Sequence, residues 1–479
     1  MMQDYCQEIV QALGNPIDLI VDHLPSWDNM HVSCMFIETL VDRDKIERLI
    51  LRPLLSINKL KAEVLIPHSD WLKTLIPVPG ITEANDLNEC IQGLLNGRCL
   101  LMFEESESYG FLIDVQKVNH RSMSEPTSEA TIRGPQEGFN EDLSINISLV
   151  RKRIKNRSLR VESFQVGETT CTKVVIVYLQ DLTANETVVE IRKRIQSIKT
   201  DSILESSYIE EWIQGRIFNP FPTLLNTERP DVVSANVLEG RIAILTDGTP
   251  IALIGPITFS QLFSSPEDYY QKPEIASLLR LLRFLSFMIA CCTPAVYISV
   301  VTFHQALLPT SLLISLSAQR EGVPFPGLIE ALIMQITFEI LREAGLRMPR
   351  ISGQAISIVG ALVLGEAAVQ AGLVSASMVI VVSVTAIANF VTPSYSFGIT
   401  QRLIQFYLMM LAGFMGLFGI FCGVLLVVIH LVSLDSFSIP YMSPFAPTVL
   451  SDWRDTLFRV PQQWMRKFPK MFHIKQKKR

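Results

Sequence analysis

Glu366 is the side chain best placed to do chemistry, because 351–434 is an 84-residue stretch with only two formally charged residues. One stripe of the helix predicted there holds two valines, a carboxylate and an amide: Val359, Val363, Glu366 and Gln370. In a ring of subunits this stripe could line a pore. The valines would close it by dewetting, and the carboxylates would favour cations.

The same spacing leaves a structural interpretation open. Glu366 could instead be buried and paired with Arg402, the other charge of the stretch, or with a backbone amide. Glu330 falls on the apolar side of a predicted helix, where a carboxylate needs a partner or a place at the helix terminus. Glu330 and Arg402 are therefore candidates for buried charges.

A second stripe of the Glu366 helix is made of small residues. Small side chains let neighbouring helices approach closely, so this face is predicted to pack against another helix. Its members are Gln354, Ser357, Ala361, Gly365, Ala368 and Gly372.

The first 270 residues contain no phosphate loop, no His-Glu-x-x-His and no Gly-x-Ser-x-Gly. Their cysteines have no zinc-type spacing. We therefore expect no enzyme, no cofactor and no metal. A net charge of −5 gives no reason to expect nucleic acid. The basic run Arg151–Lys155 lacks interleaved aromatics, so it is predicted to be a solvated helix end or a subunit contact.

Charged residues are concentrated in the first 270 positions and long apolar runs in the last 200. The fold class predicted is an α/β soluble N-terminal region of two small subdomains followed by an all-α polytopic membrane domain. Strand alternation and the turns Asn96-Gly97 and Asp247-Gly248 support the α/β part, in which no sequence repeat is visible. The expected boundaries are 1–120 and 141–275 for the subdomains, 121–140 for a linker, 276–435 for the membrane domain and 436–479 for a basic tail.

Four segments are long enough to span a bilayer: Phe284–Phe303, Gln354–Ala371, Ser375–Val391 and Ile404–Leu431. A fifth, Pro326–Arg347, is amphipathic and is predicted to lie in the interface or in a subunit contact. Eight basic and no acidic residues in 459–479 favour a cytoplasmic C-terminus. The N-terminal region, with no visible signal peptide, is then cytoplasmic too. The arginines of 304–350 would fall outside, so that segment is expected to dip back into the bilayer.

Several stretches resemble the A subunit of the GerA-type spore germinant receptors. They are Arg133–Phe139, Asn219–Pro222, Thr227–Pro230, Glu239–Pro250, Arg320–Pro326, Glu339–Gly345 and Ile439–Pro447. The resemblance covers almost the whole chain and is weak in the first subdomain.

This resemblance implies a protein of the inner spore membrane. It implies a B subunit, a permease-like nutrient sensor, and a C subunit, a lipoprotein, as partners. It also implies a homo-oligomer, a pentamer, that forms a nutrient-gated cation channel triggering germination. Two alternatives are a secondary transporter, for which Pro294 and Pro393 would break helices at a substrate site, and a membrane-tethered scaffold or enzyme acting through the soluble half.

Overall fold

Two α/β subdomains come first in the chain and a region of apolar helices follows, which confirms the predicted fold class. The computed structural model describes residues 2–27, 30–56, 72–73, 75–78, 80–104, 109–117, 126, 133–216, 218–347, 365–465, 468–469 and 472.

The first subdomain is an antiparallel sheet of order β1-β2-β4-β5-β3 with helices on both faces. The strands are β1 Leu19–Trp27, β2 Met30–Ile37, β3 Thr82–Ala84, β4 Arg98–Phe103 and β5 Gly110–Asp114. The helices are α1 Met2–Leu13, α2 Leu87–Leu95 and the consecutive segments Arg43–Lys45, Ile46–Leu51 and Arg52–Ser56. Successive strand residues point to opposite faces. Met35 therefore packs with α1 and α2, while Phe36 packs with the segments Ile46–Leu51 and Arg52–Ser56.

The second subdomain repeats this topology, although the sequence shows no repeat. Its sheet order is β6-β7-β9-β10-β8, which is the first order shifted by five strands. The strands are β6 Leu159–Val166, β7 Thr172–Leu179, β8 Leu225–Thr227, β9 Ile242–Thr246 and β10 Ala252–Gly255. The helices are α3 Leu143–Arg153, α4 Asn185–Gln196, α5 Ser206–Ile213 and α6 Pro230–Leu238. In both subdomains a helix ends at a glycine with positive φ, Gly97 (76°) or Gly240 (84°), and an arginine follows it.

Arg151 joins the two subdomains to each other. It is 3% exposed, and its Nε and Nη2 donate to the carboxylate of Asp18 at 2.7 and 2.6 Å. Asp18 also accepts from the Thr39 hydroxyl at 2.7 Å. Lys155 donates to Asn96 at 2.9 Å, while Arg153 pairs with Glu137. The prediction of a solvated helix end or subunit contact was therefore wrong for Arg151, because this run closes a contact within the chain.

The helical region contains α7 Pro273–Thr302, α8 Thr310–Arg320, α9 Gly327–Arg347, α10 Ala376–Phe390 and α11 Tyr395–Ser433, and 365–370 is also helical. Among the described residues, α7 and α11 are long and apolar enough to cross a membrane, judged by length and composition, and α10 is a shorter apolar helix. The sequence analysis did not predict α8.

Helix α11 is a hairpin of two antiparallel arms, 395–415 and 417–433, which meet at Gly416 with φ 63° and ψ −144°. A Cβ added at Gly423 would lie 2.7 Å from the Leu408 side chain. In one straight helix these residues would be more than about 20 Å apart at 1.5 Å per residue. The predicted single span Ile404–Leu431 is therefore folded in two, because the left-handed backbone of Gly416 reverses the chain.

Both ends of the hairpin lie against the second subdomain, which defines the near end of the helical region. Asn226 donates to Ser396 at 3.1 Å in the first arm, and Arg216 donates to the Ser433 carbonyl at 2.8 Å in the second. The turn at Gly416 defines the far end, where it meets His304 just after α7.

Helix α9 runs from the far end towards the near end. Near its start, Leu328 lies 2.5 Å from the position of a Cβ added at Gly413, close to the hairpin turn. Eleven residues later, Glu339 lies 3.8 Å from Arg402 in the first arm. Arg342 and Arg347 therefore follow the chain back towards the subdomains, whereas Arg320, before α9, lies beside Glu330 at the far end.

The close approach of the two arms predicts opposite effects of alanine at two glycines of α11. A Cβ at Gly419 would collide with the backbone carbonyl of Leu411. A Cβ at Gly398 would have no atom of the described residues within 4 Å. We expect Gly419→Ala to lower the free energy of unfolding by about 1–3 kcal/mol. Gly398→Ala should raise it by up to about 1 kcal/mol through helix propensity. Thermal unfolding in detergent measures both, and equal effects would contradict the hairpin.

The buried pair between the subdomains predicts a large difference between two arginines of one helix. Arg151→Met leaves the Asp18 carboxylate buried without its cation, which costs about 3–5 kcal/mol. Arg153→Met is the control, because its partner Glu137 is exposed to water and such pairs contribute at most about 1 kcal/mol. Hydrogen exchange of the amides of β1 and α3 in the intact chain should accelerate strongly only for Arg151→Met. Similar exchange in both variants would mean that Asp18 is not held by Arg151.

Candidate functional site

Helix α9 turns its polar side inward and its apolar side outward. Gln335 is buried and the Glu339 side chain is largely buried, whereas Ile336 and Ile340 are 50% and 63% exposed. A helix on the surface of a water-soluble protein has the reverse arrangement. The interior of the helical region therefore contains polar groups beside an apolar core that includes Phe287, Leu408 and Met409.

At the far end, this interior contains Glu330, whose side chain is fully buried. Its Oε1 accepts from the Ser375 backbone N–H at 2.6 Å and from the Ser375 hydroxyl at 2.5 Å. Its Oε2 has no hydrogen-bond partner among the described residues and lies 3.7 Å from Nε of Arg320. Ser375 is the N-cap of α10, so Glu330 fixes the start of that helix to α9.

Further along α9, Glu339 lies between two arginines. Nη2 of Arg342 is 2.6 Å from one carboxylate oxygen, and Nε of Arg402 is 3.8 Å from the other. The Arg402 side chain is 12% exposed. Arg402 therefore pairs across helices with Glu339 and not with Glu366, which was the structural alternative considered from the sequence.

Three amide side chains complete the interior near the end of α10. Gln401 and Gln405 are fully buried one turn apart on α11, and the hydroxyl of Thr392 donates to Oε1 of Gln401 at 2.7 Å. Within the described ranges, both polar atoms of Gln405 and of Asn389, and Nε2 of Gln401, have no partner. Buried amide atoms without hydrogen-bond partners cost free energy, so Gln405 and Asn389 lower the stability of this part of the interior.

The helix that carries both predicted stripes, the pore stripe and the small-residue stripe, is described only from 365 onward. Gly365 is buried, and a Cβ there would lie 3.6 Å from Val379 of α10. Ala368, one turn later, is half-buried. Glu366 and Gln370 are exposed on another side, where Nε2 of Gln370 donates to Glu366 at 3.1 Å. The remaining predicted residues, Val359, Val363, Gln354, Ser357 and Ala361, lie outside the described residues.

A loop of the second subdomain holds both arms of α11, and we call its described residues 216 and 218–226 the joint loop. Oδ1 of Asn219 is 3.2 Å from Nε2 of His430 in the second arm. The hydroxyl of Thr400 in the first arm donates to the carbonyl of Pro220. The Tyr441 hydroxyl, beyond α11, donates to the carbonyl of Pro222 at 2.7 Å. The sequence analysis singled out Asn219–Pro222 only as a resemblance, and its physical role is this set of bonds.

Two further layers strengthen the junction between the second subdomain and the helices. The first is a cluster of aromatic rings in edge and stacked contacts: Phe221, Phe259, Phe263, Phe287, Phe397 and Tyr441. The second is ionic. Buried Asp268 accepts from Arg280 at 2.9 Å and from Arg283 at 2.8 Å, and Arg280 also donates to the carboxylate of Asp455 at 2.9 Å. The start of α7 is thereby fixed to both the subdomain and the C-terminal segment.

Asp231 of α6 adds a third polar contact near the junction. It accepts from Arg229 at 2.7 Å and from the Tyr270 hydroxyl at 2.7 Å. Burial opposes the charge of this carboxyl, but the hydrogen bonds outweigh it and lower the pKa of Asp231. Burial and the bond to Asp231 raise the pKa of Tyr270 to about 12. Across the described part of the chain, no group of three His, Cys, Asp or Glu side chains is placed to hold a metal ion.

Sequence comparisons extend over nearly the whole chain. A family model described as Bacillus/Clostridium GerA spore germination protein matches residues 7–471. Spore germination protein KA of Bacillus subtilis is 42% identical over 95% of this chain and 83% of that protein. Uncharacterized membrane protein YfkQ of Bacillus subtilis is 42% identical over 91% and 84%. Spore germination protein GerLA of Bacillus cereus is 37% identical over 98% and 95%.

Among solved structures, the chain is similar to the crystal structure of the N-terminal domain of the A subunit of the Bacillus megaterium spore germinant receptor GerK3. The identity is 31% and the TM-score is 0.42, with 53% of this chain and 94% of that chain covered.

The Gln405 side chain has no hydrogen-bond partner among the described residues, whereas Gln401 accepts a bond from Thr392. We therefore predict that substitutions at these two glutamines, one turn apart, differ in their effect on stability. Gln405→Met removes polar atoms without partners, so the free energy of unfolding should stay unchanged or rise. Gln401→Met leaves the Thr392 hydroxyl without its acceptor, so this substitution should lower the free energy of unfolding by about 1 kcal/mol. Thermal unfolding of the detergent-solubilised chain measures both. A loss at Gln405→Met as large as at Gln401→Met would mean that Gln405 already holds a bound partner.

Proposed function

This chain belongs to the GerA family of spore germination proteins, and we propose that it is the A subunit of a nutrient germinant receptor in the inner membrane of the spore. It acts there with a permease-like B subunit and a lipoprotein C subunit. Several copies, five by family resemblance, form a cation channel that opens in response to a nutrient and starts germination.

The inverted surface of the helical region supports a place in the membrane. Many of its outward side chains are large and apolar, as at Ile340, Phe390 and Phe414, whereas Glu330, Gln401 and Gln405 are buried. Helices surrounded by hydrocarbon need this arrangement. The relative YfkQ is itself described as a membrane protein.

The proposed topology has six crossings in place of the four predicted from the sequence. They are α7, α9, the predicted segment Gln354–Ala371, α10 and the two arms of α11. The count is even, so the α/β subdomains and the basic C-terminal tail share one side. The positive charge of the tail makes that side the cytoplasm.

One observation carries the proposal of a pore: Glu366 and Gln370 are exposed while Gly365 of the same helix packs against α10. An exposed carboxylate in an otherwise apolar region must meet water or another subunit. A ring of copies in which this face lines the axis would provide the water. Val359 and Val363, on the same stripe, then supply the apolar gate, while Gln354, Ser357, Ala361, Gly365 and Ala368 pack towards neighbouring helices.

The joint loop supplies a route from the cytoplasmic side to the membrane helices. It belongs to the second subdomain and holds both arms of α11. A nutrient signal that shifts this subdomain against the helices would move the hairpin and, through α10, the helix that carries Glu366. The identity of the nutrient belongs to the partner subunit in this proposal.

The pore assignment predicts a loss of charge selectivity on neutralising Glu366. A ring of carboxylates attracts cations and repels anions in a poorly screened gap, so Glu366→Gln should shift the reversal potential in a salt gradient towards zero. Glu343→Gln is the matched control, because Glu343 is an exposed carboxylate on α9 paired with Arg347 of its own helix. Recordings from the purified receptor in planar bilayers measure both.

Each outcome of that recording separates the functions considered. Ohmic channel steps with altered selectivity only in Glu366→Gln support the pore. Loss of assembly with unchanged selectivity in the remaining channels would make Glu366 a structural residue. Saturable counterflow without channel steps would favour a transporter, and catalytic turnover without transport would favour an enzyme.

A further inference from the structure

The second subdomain carries large aromatic side chains that its own fold leaves uncovered. Ile209 and Ile213 of α5 are buried against the sheet, whereas Tyr208 and Trp212, one turn apart on the outer face, are 43% and 51% exposed. Phe218, just after α5, is 93% exposed. We call Tyr208, Trp212 and Phe218 the aromatic ridge. Exposed aromatic side chains near one another in the chain mark a surface that contacts another molecule or a lipid layer.

Two bonds place this ridge beside the near end of α11. Arg194 donates to the carbonyl of Ile213 at 2.6 Å, and its guanidinium lies 4.9 Å from the ring centre of Phe437, just beyond α11. Arg216, between Trp212 and Phe218, donates to the carbonyl of Ser433 at 2.8 Å. The ridge therefore begins where the second arm ends.

The level of that point in a bilayer follows from the length of the arm. At 1.5 Å per residue, 417–433 is about 25 Å long, close to the roughly 30 Å of a hydrocarbon core. Its exposed side chains are apolar up to its end, as at Phe418, Phe421 and Val432. Ser433 then lies where hydrocarbon gives way to headgroups. Tryptophan, tyrosine and arginine are the side chains that membrane proteins place at this level.

We propose that the aromatic ridge inserts into the lipid headgroup layer on the cytoplasmic side of the membrane that α11 crosses. Phe218 and Trp212 enter the layer, and the exposed Arg216 guanidinium faces lipid phosphate while it holds Ser433. This anchors the second subdomain, with the joint loop to which Arg216 and Phe218 belong, at the level of the headgroups. This inference rests on the membrane placement proposed above.

Quenching of Trp212 fluorescence by brominated lipid tests the proposal. The full chain is reconstituted in nanodiscs with Trp212 as its only tryptophan, after Trp27→Phe, Trp71→Phe, Trp453→Phe and Trp464→Phe. The lipid bears bromine either near the headgroup or deep in the acyl chain. We expect strong quenching by shallow bromine, weak quenching by deep bromine and little quenching by aqueous iodide.

Two reporters in the background that also carries Trp212→Phe serve as controls. Phe418→Trp, on the exposed side of the second arm, should be quenched by bromolipid if α11 crosses the membrane. Ile17→Trp, exposed on the first subdomain, should be quenched only by iodide.

The combined readings separate failure of the inference from failure of the membrane placement. Bromolipid quenching at Phe418→Trp with iodide quenching at Trp212 overturns the inference and leaves the membrane placement standing. Protection of Trp212 from both quenchers also overturns it, because protein then covers the ridge. Absence of bromolipid quenching at Phe418→Trp overturns the membrane placement itself, and the inference with it.

Discussion

A guanidinium is tolerated away from water only where oxygens accept its N–H groups, and this chain places such guanidiniums at its junctions. Arg151 with Asp18 joins the two α/β subdomains. Arg280 with Asp268 joins the second subdomain to the first long helix. Arg402, whose Nε lies 3.8 Å from a carboxylate oxygen of Glu339, forms a longer ion pair between two helices of the apolar region. Removing one partner would leave a buried charge, so each junction resists separation more than its small area implies.

Much of the α/β fold could be predicted from local sequence, because alternation and turn glycines determine strands and hairpins over short distances. The strands around Asn96-Gly97 and Asp247-Gly248 lie close to where the pattern places them. The repeated topology could not be predicted, since equal strand order does not require equal side chains. The hairpin in α11 was missed as well. Gly416 lies among apolar residues, and a turn surrounded by hydrocarbon carries none of the polar residues that mark turns in water.

The charged residues of the candidate site could be predicted from the sequence, but the residues that they contact could not. Glu330 and Arg402 stand out as charges among apolar residues, and the structure gives their partners as Ser375, Arg320 and Glu339. Those pairings join residues far apart in sequence, for which spacing carries no signal. The joint loop was visible only as a family-like motif, because its carbonyl acceptors belong to the backbone and any sequence supplies them. The periodicity of α9 predicts that it has a polar face and an apolar face. It does not predict which of the two faces points inward, because that depends on the surroundings of the helix.

The attachment of both arms of α11 to one short loop has a mechanical consequence. The two ends of the hairpin cannot spread apart at the near end of the helical region, because the joint loop contacts both of them. A displacement of the joint loop therefore tilts both arms of the hairpin together. The turn at Gly416 lies against His304. The tilt therefore reaches the far end of the helical region at the link between α7 and α8. No helix has to unwind or lengthen for a movement on one side to be felt on the other.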